Sequence, residues 1–319
     1  LAIVLVIASN ALFSYGESLT AAFLPELARP DAMGKVSGWG WAFGYCGGML
    51  ALGLCLAYVL WAKAQGLPAS HFVPVTMLIT AVLYGAAALV TFAGLRERST
   101  PQATPPDRVG VGPLRQLWLT WLDARGYRDF MWLLASCVAY QGGVAVAITL
   151  AAIYAEQVIG FAQQETMVLI FVLNIAAALG AFGFGYLQDR VGHRAALALT
   201  LVGWIATCII AAVTTTKSGF WYAAAIAGAC MGSSQSGGRA MAALFVPPTR
   251  LAEFFGLWTF AVRLAAILGP LSYGLITWLT GGNQRIAILS TSVLFVIGLF
   301  CLLPLDVQRG RARVAAPSA

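Results

Sequence analysis

The sequence is poor in charge. Only 10% of its 319 residues are Asp, Glu, Lys or Arg, while 60% are hydrophobic and the mean hydropathy is +0.82. A soluble domain carries roughly a quarter charged residues, so an ordinary water-soluble globule is excluded. Histidine is nearly absent: His71 and His193 both lie at loop edges, which leaves no histidine-built catalytic or metal centre. The six cysteines (Cys46, Cys55, Cys137, Cys208, Cys230 and Cys301) fall inside apolar runs at no paired spacing. They read as small packing residues with neither disulfide nor metal role. No Asp-x-x-Asp, His-x-x-x-Asp or His-Glu-x-x-His grouping occurs, so the acids and histidines of a membrane-embedded enzyme are missing and no cofactor is expected. The net charge of +7 is spread over short loops, not gathered in a patch, which speaks against a nucleic-acid partner. The opening run from Leu1 shows neither the basic start nor the small-residue cleavage site of a signal peptide and reads as the edge of a membrane span, as expected of a fragment of a longer protein.

What is present is a series of long apolar runs, at about 1–24, 41–62, 72–95, 131–155, 166–187, 195–214, 219–246, 252–278 and 286–304. Each is long enough to cross a bilayer as a helix. The fold class is therefore an all-α, multi-pass integral membrane protein, with the bilayer as its solvent.

The ten residues Gly185-Tyr-Leu-Gln-Asp-Arg-Val-Gly-His-Arg194 form a short charged hinge between two of these runs. Spans joined so closely must be antiparallel neighbours, with the hinge at a water-facing edge. Gly185 and Gly192 permit a sharp turn and close helix ends. Asp189 is free to pair with Arg190, Arg194 or the dipole of a nearby helix terminus. If the hinge is cytoplasmic, 14 basic residues fall in inside segments and only Lys63, Lys217 and Arg285 outside, with Arg239 and Arg263 inside spans. The positive-inside rule then puts Leu1 outside and Ala319 in the cytoplasm.

The loop over 96–130 is the longest. It begins with a polar, proline-rich piece, Ser99–Pro106, expected to be flexible. Pro113–Asp123 follows, where Leu114, Leu117, Trp118, Trp121 and Leu122 recur at helical spacing, as in a short helix lying in the headgroup plane.

The hinge pattern Gly-x-x-x-Asp-Arg-x-Gly-x-Arg resembles the loop that joins the second and third helices of each six-helix half in the major facilitator superfamily. Three runs precede the long loop and six follow it, which fits helices 4 to 12 of a twelve-helix facilitator. On this reading 1–95 holds the last three helices of the N-terminal bundle, and 96–130 the cytoplasmic central loop. Residues 131–306 form the C-terminal six-helix bundle, and 307–319 a cytoplasmic tail. The first three helices would then be missing, and the 319 residues alone are expected not to transport. The segments Leu24-Pro-Glu-Leu-Ala28, Val36-Ser-Gly-Trp-Gly-Trp-Ala-Phe-Gly-Tyr-Cys-Gly-Gly48, Val246-Pro-Pro-Thr-Arg250, Glu253-Phe-Phe-Gly256 and Leu268-Gly-Pro-Leu271 narrow the resemblance. They look like the vacuole-effluxer-like branch, which includes fungal vacuolar amino-acid exporters and bacterial permeases. Where that branch usually has Tyr-x-Asp-Gly, this chain has Tyr140-Gln-Gly-Gly143, so a coupling role for that acid is in doubt here.

The resemblance implies a secondary-active permease, not an enzyme, that moves a small solute by alternating access, as a monomer in a bacterial inner membrane. A non-transporting receptor or scaffold, or a membrane-embedded enzyme, is the alternative. Candidate residues are the polar ones within the runs, because ionisable groups there are costly to bury. Arg263 lies about eleven residues into its run, roughly 16 Å from the end. It suits the binding of a carboxylate, or a structural pairing with carbonyls or an acid. Arg239 shares a face with Gln235, four residues back, in a Gly-Ser run that either unwinds locally to meet substrate or packs closely while Arg239 snorkels to the headgroups. Asn10, Ser14 and Glu17 form a polar stripe. Glu17 is the acid to carry a coupled proton, to pair with Arg263 or Arg239, or to be solvated at the interface. Tyr140, Gln141 and Asn174 either line a cavity or bond a neighbouring helix. Glycines 44, 47, 48 and 53 on one helix, and 180, 183 and 185 on another, are expected to let backbones approach.

Overall fold

A computed structural model describes residues 2–96 and 110–315. The proline-rich piece at 99–106 lies outside them. Among the described residues, nine long helices stand where nine apolar runs are predicted: α1 (Ala2–Ala22), α3 (Met33–Ala64), α4 (Ala69–Gly94), α6 (Arg128–Tyr154), α7 (Gln163–Val191), α8 (His193–Val213), α9 (Lys217–Leu244), α10 (Leu251–Leu279) and α11 (Gln284–Leu302). Three short α-helices join them, α2 (Leu24–Leu27), α5 (Pro113–Ala124) and α12 (Val307–Ala315), with a π turn at Ala155–Ile159 and a 3-10 turn at Pro248–Arg250. No strand occurs among the described residues.

Among the described residues, eight helices are long and apolar enough to cross a membrane; α9 is not, by composition. Its 28 residues include the run Gly232-Ser-Ser-Gln-Ser-Gly-Gly238, which dilutes the apolar content. The reason is placement. α9 packs along α7 and α8 and buries 18 of its residues, so its surroundings are other helices, and it need not be apolar toward lipid.

The chain divides into two compact units: 1–42 with 99–319, and 43–98. The second holds most of α3 together with α4, where Cys55 Sγ lies 3.6 Å from the carbonyl of Thr76. The first holds the cavity described below, including the opening residues of α3.

Within the first unit, small residues set how closely helices approach. A methyl at Gly180 would collide with the carbonyl of Ala229, and one at Gly232 with that of Ala177, so α7 and α9 touch backbone to backbone. At Gly228 the added Cβ would lie 2.5 Å from the carbonyl of Leu173. The same holds between α6 and α10, where Gly269 rests on the carbonyl of Gly142. At Gly183 an added methyl would meet no described atom within 4 Å, so the close approach expected there is not seen; Gly44, Gly47, Gly48 and Gly53, in the second unit, likewise have no described atom within that distance. The Trp204 and Phe295 rings stack at 5.1 Å between α8 and α11.

At one end of this unit α12 is docked, not loose. Asp129, 4% exposed, receives Arg309 through Nε (2.9 Å) and Nη2 (2.5 Å) and the backbone N–H of Asp306 (2.8 Å). The carboxylate holds the Arg309 guanidinium still more firmly protonated. Gly310 packs beneath Phe245.

Candidate functional site

A cavity of about 300 Å³ opens between α1, α3, α6, α9 and α10. Helical periodicity explains its walls. From α6 come Gln141, Val144, Ala145, Ile148 and Thr149; from α10, Trp258, Thr259, Val262, Arg263 and Ala266. Each set repeats at intervals of three and four, one face of a helix. Gln235 and Arg239 of α9, four apart, add a polar stripe, and Glu17, Ala21 and Trp41 close the remaining side. The volume is space for about ten water molecules.

Its two arginines are held in different ways. Arg263 Nη2 donates to Glu17 Oε2 at 2.5 Å, with both side chains partly exposed to the cavity. The Nε of Arg263 is buried and has no acceptor. Arg239 meets no carboxylate at ion-pair distance. Its Nε donates to Ser37 Oγ (3.1 Å), its Nη2 to the Ser37 carbonyl (2.8 Å), and the guanidinium carbon stands 5.6 Å from the centre of the Trp41 ring. Gly40 makes room for this, since a Cβ there would sit 3.0 Å from Arg239 Nη2. The lining thus carries two cations against one anion.

Beside the cavity, the opening residues of α3 are clamped onto α7 and α9. Ser37 Oγ donates to the carbonyl of Ser236 (2.8 Å) and Gln188 Nε2 to that of Gly237 (3.0 Å). Asp189 accepts the backbone N–H groups of Gly34 and Lys35, both at 2.8 Å, one on each carboxylate oxygen. Of the partners open to Asp189, the helix terminus is the one it takes. These amides belong to the first turn of α3, where no intrahelical acceptor exists and the dipole favours an anion. Gly34 and Gly185 face each other: a Cβ on either would lie 2.8 Å from the other's carbonyl oxygen. The hinge itself shrinks to one residue, Gly192, at φ +94° between α7 and α8, a conformation that favours glycine. Arg190 is exposed, and neither it nor Arg194 pairs with Asp189.

The structure brings Glu17, Gln141, Gln235, Arg239 and Arg263 together in one cavity and leaves three other candidates outside it. Tyr140 is fully buried, its hydroxyl against Gly238. Asn174 Nδ2 donates to the carbonyl of Ile170 (2.8 Å) in its own helix. Asn10, exposed, does the same to Val6 (2.9 Å). Of the two readings of the Gly-Ser run in α9, the unwound one is not seen: the run stays helical and packs closely, with Gly232 on the Ala177 carbonyl. Arg239 is held by Ser37 and Trp41. Sequence reasoning missed Ser37, Trp41, Gln188 and Trp258. The one available signal was the Ser37-Gly-Trp-Gly-Trp41 spacing, whose glycines mark close backbone approach.

Among the described residues, no group of three or more His, Cys, Asp or Glu stands close enough to hold a metal ion.

Comparison with known proteins matches this architecture. An uncharacterized MFS-type transporter of Bacillus subtilis, YxiO, is 27% identical over 292 residues, covering 91% of this chain and 67% of that protein. Autophagy-related protein 22 of Cryptococcus neoformans is 27% identical over 177 residues. That alignment takes in 50% of this chain and 32% of the fungal protein, so the chain spans about two thirds of the first relative and overlaps a third of the second. Among solved structures, the Escherichia coli fucose:proton symporter superposes with a TM-score of 0.67 at 14% identity, over 91% of this chain and 73% of the symporter. The human organic anion transporter TETRAN gives 0.70 at 17%, over 89% and 67%. At these identities the likeness concerns the fold, and the fold is that of the major facilitators. The model of the vacuole effluxer Atg22-like family matches residues 31–315, and the chain belongs to that family, a multi-pass membrane transporter branch of the major facilitator superfamily.

Proposed function

We propose that this chain carries the solute site of a secondary-active permease, and that the solute is a small carboxylate, an amino acid among them. One observation supports the reading above others: a cavity of about 300 Å³ whose lining has two guanidiniums and a single carboxylate. Glu17 pairs directly with Arg263, whereas the hydrogen bonds of Arg239 all go to neutral groups and Glu17 acts on it only through space. A carboxylate seated between them would supply the missing charge and accept from the unsatisfied Arg263 Nε.

Alternating access follows from what Arg239 touches. The guanidinium that would hold the solute also binds Ser37 on α3. A carboxylate competing for it would loosen the clamp at the Asp189 end, so that occupancy favours opening there. Protonation of Glu17 would free Arg263 and couple proton movement to the same step. On this reading the hinge (Gly185, Asp189, Arg190, Gly192 and Arg194) is cytoplasmic and gates that side. The halves are 1–95 and 131–306, and the protein works as a monomer in a bacterial inner membrane.

Titration calorimetry on the purified protein with propionate and with the uncharged propionamide tests the site. Binding of propionate alone is expected; equal binding of both, or of neither, overturns it. Counterflow of radiolabelled propionate in proteoliposomes of the gene product, expressed from its own start codon, tests movement. Binding without counterflow would make the protein a receptor.

A further inference from the structure

α5 presents two unlike faces. On one, Thr120 and Ala124 are buried, and Thr120 Oγ1 donates to Glu253 Oε2 (3.3 Å). Arg250 Nη2 bridges Asp123 Oδ2 (2.9 Å) and Glu253 Oε2 (2.5 Å). These contacts pin the helix to the start of α10. On the opposite side Trp118, Trp121 and Leu122 are 60%, 39% and 40% exposed. At 3.6 residues per turn, Arg115 and Arg125 project on that same side, and both are exposed. Two indoles, a leucine and two guanidiniums therefore share one face.

That composition identifies what covers it. A soluble anion has no use for two indoles, and an apolar lipid core has none for two arginines. The headgroup layer of a bilayer with anionic lipids satisfies both. The bilayer is also at hand. α5 leads directly into α6 and rests on the first turn of α10, two helices long and apolar enough to cross a membrane. It thus lies at the level where those spans begin, which by antiparallel alternation through α7 is the Asp189 end.

We propose that this face of α5 is an anionic-phospholipid-binding surface, with the indoles at the headgroup–acyl boundary and Arg115 and Arg125 on headgroup phosphates. Arg250, Asp123 and Glu253 then tie the lipid-bound helix to α10, the helix that carries Arg263. Lipid composition is a regulatory input to the cavity, independent of which solute it takes.

Hydrogen–deuterium exchange on the protein in nanodiscs tests this, with phosphatidylcholine alone compared against a mixture with phosphatidylglycerol. Exchange over 113–125 is expected to slow at least about fivefold in the mixture, the factor one basic residue gains near an anionic surface. The slowing should disappear in high salt and in the Arg115→Gln/Arg125→Gln variant, whose α6 and α10 exchange stays as in the parent. Equal exchange in both discs would overturn the proposal, as would slowing that survives the double substitution. Equal slowing by inorganic phosphate with phosphatidylcholine discs would also overturn it, making this a phosphate site instead.

Discussion

The two arginines of the cavity sit on adjacent walls and are held by opposite means. Arg263 on α10 is charge-paired with Glu17, while Arg239 on α9 is hydrogen-bonded to Ser37 and lies over Trp41. A paired cation has little left to offer an anion beyond its free donors. A cation whose hydrogen bonds all go to neutral groups, and which Glu17 reaches only through space, has more attraction left for an incoming anion in a medium of low dielectric. The difference assigns unequal parts: Arg239 is the main anchor and the link to the clamp, and Arg263 with Glu17 is the adjustable partner.

Substitutions can break that asymmetry, and their effects should descend in order. Arg239→Gln removes the charge that lacks a direct ion pair and should weaken propionate binding about 100-fold, the scale of losing one member of a buried charge pair. Arg263→Gln should cost only about tenfold, because it leaves the main anchor in place. Calorimetry on the two variants decides the ranking, and a larger loss at Arg263 would reverse it. Gly34→Ala drives a methyl to 2.6 Å from Asp189 Oδ1 and 2.8 Å from the Gly185 carbonyl. It should destabilise the clamp by about 1–3 kcal/mol, read as faster amide exchange at 33–42 with the cavity's affinity unchanged or higher. Glu17→Gln frees Arg263 and should tighten propionate binding about threefold, as expected for removing a like charge from a partly solvated site. It should also flatten any pH dependence of counterflow. Transport that kept its pH dependence would remove Glu17 as the proton carrier. Ser37→Ala, the mildest, deletes one of two contacts to Arg239 and should raise affinity about twofold, within the worth of one hydrogen bond to a charged group.

Much of this was legible in the sequence, and the limits have physical causes. Long apolar runs announce spanning helices because the bilayer demands internally bonded backbone; nine long helices appear among the described residues, eight of them apolar enough to cross a membrane. Arg263, Glu17, Arg239 and Gln235 stood out because ionisable and polar groups are conspicuous in apolar surroundings. Which partner each chose was not legible. Asp189 had arginines beside it and took amides some 155 residues away in sequence, a choice that only helix packing makes available. Asn10 and Asn174 look like cavity residues by composition, yet an amide side chain in a helix can satisfy itself on the carbonyl four residues back. Ser37 and Trp41 were hidden because serine and tryptophan in a glycine-rich helix carry no charge to mark them.

The central claim is that Arg239 serves the solute site and the clamp at once. Amide exchange at 33–42, followed while propionate is titrated into the parent protein and the Arg239→Gln variant, tests it most directly. Exchange that rises with propionate in the parent is expected, while propionamide leaves it unchanged and the variant responds to neither. Saturable propionate binding with no change in exchange at 33–42 would contradict it.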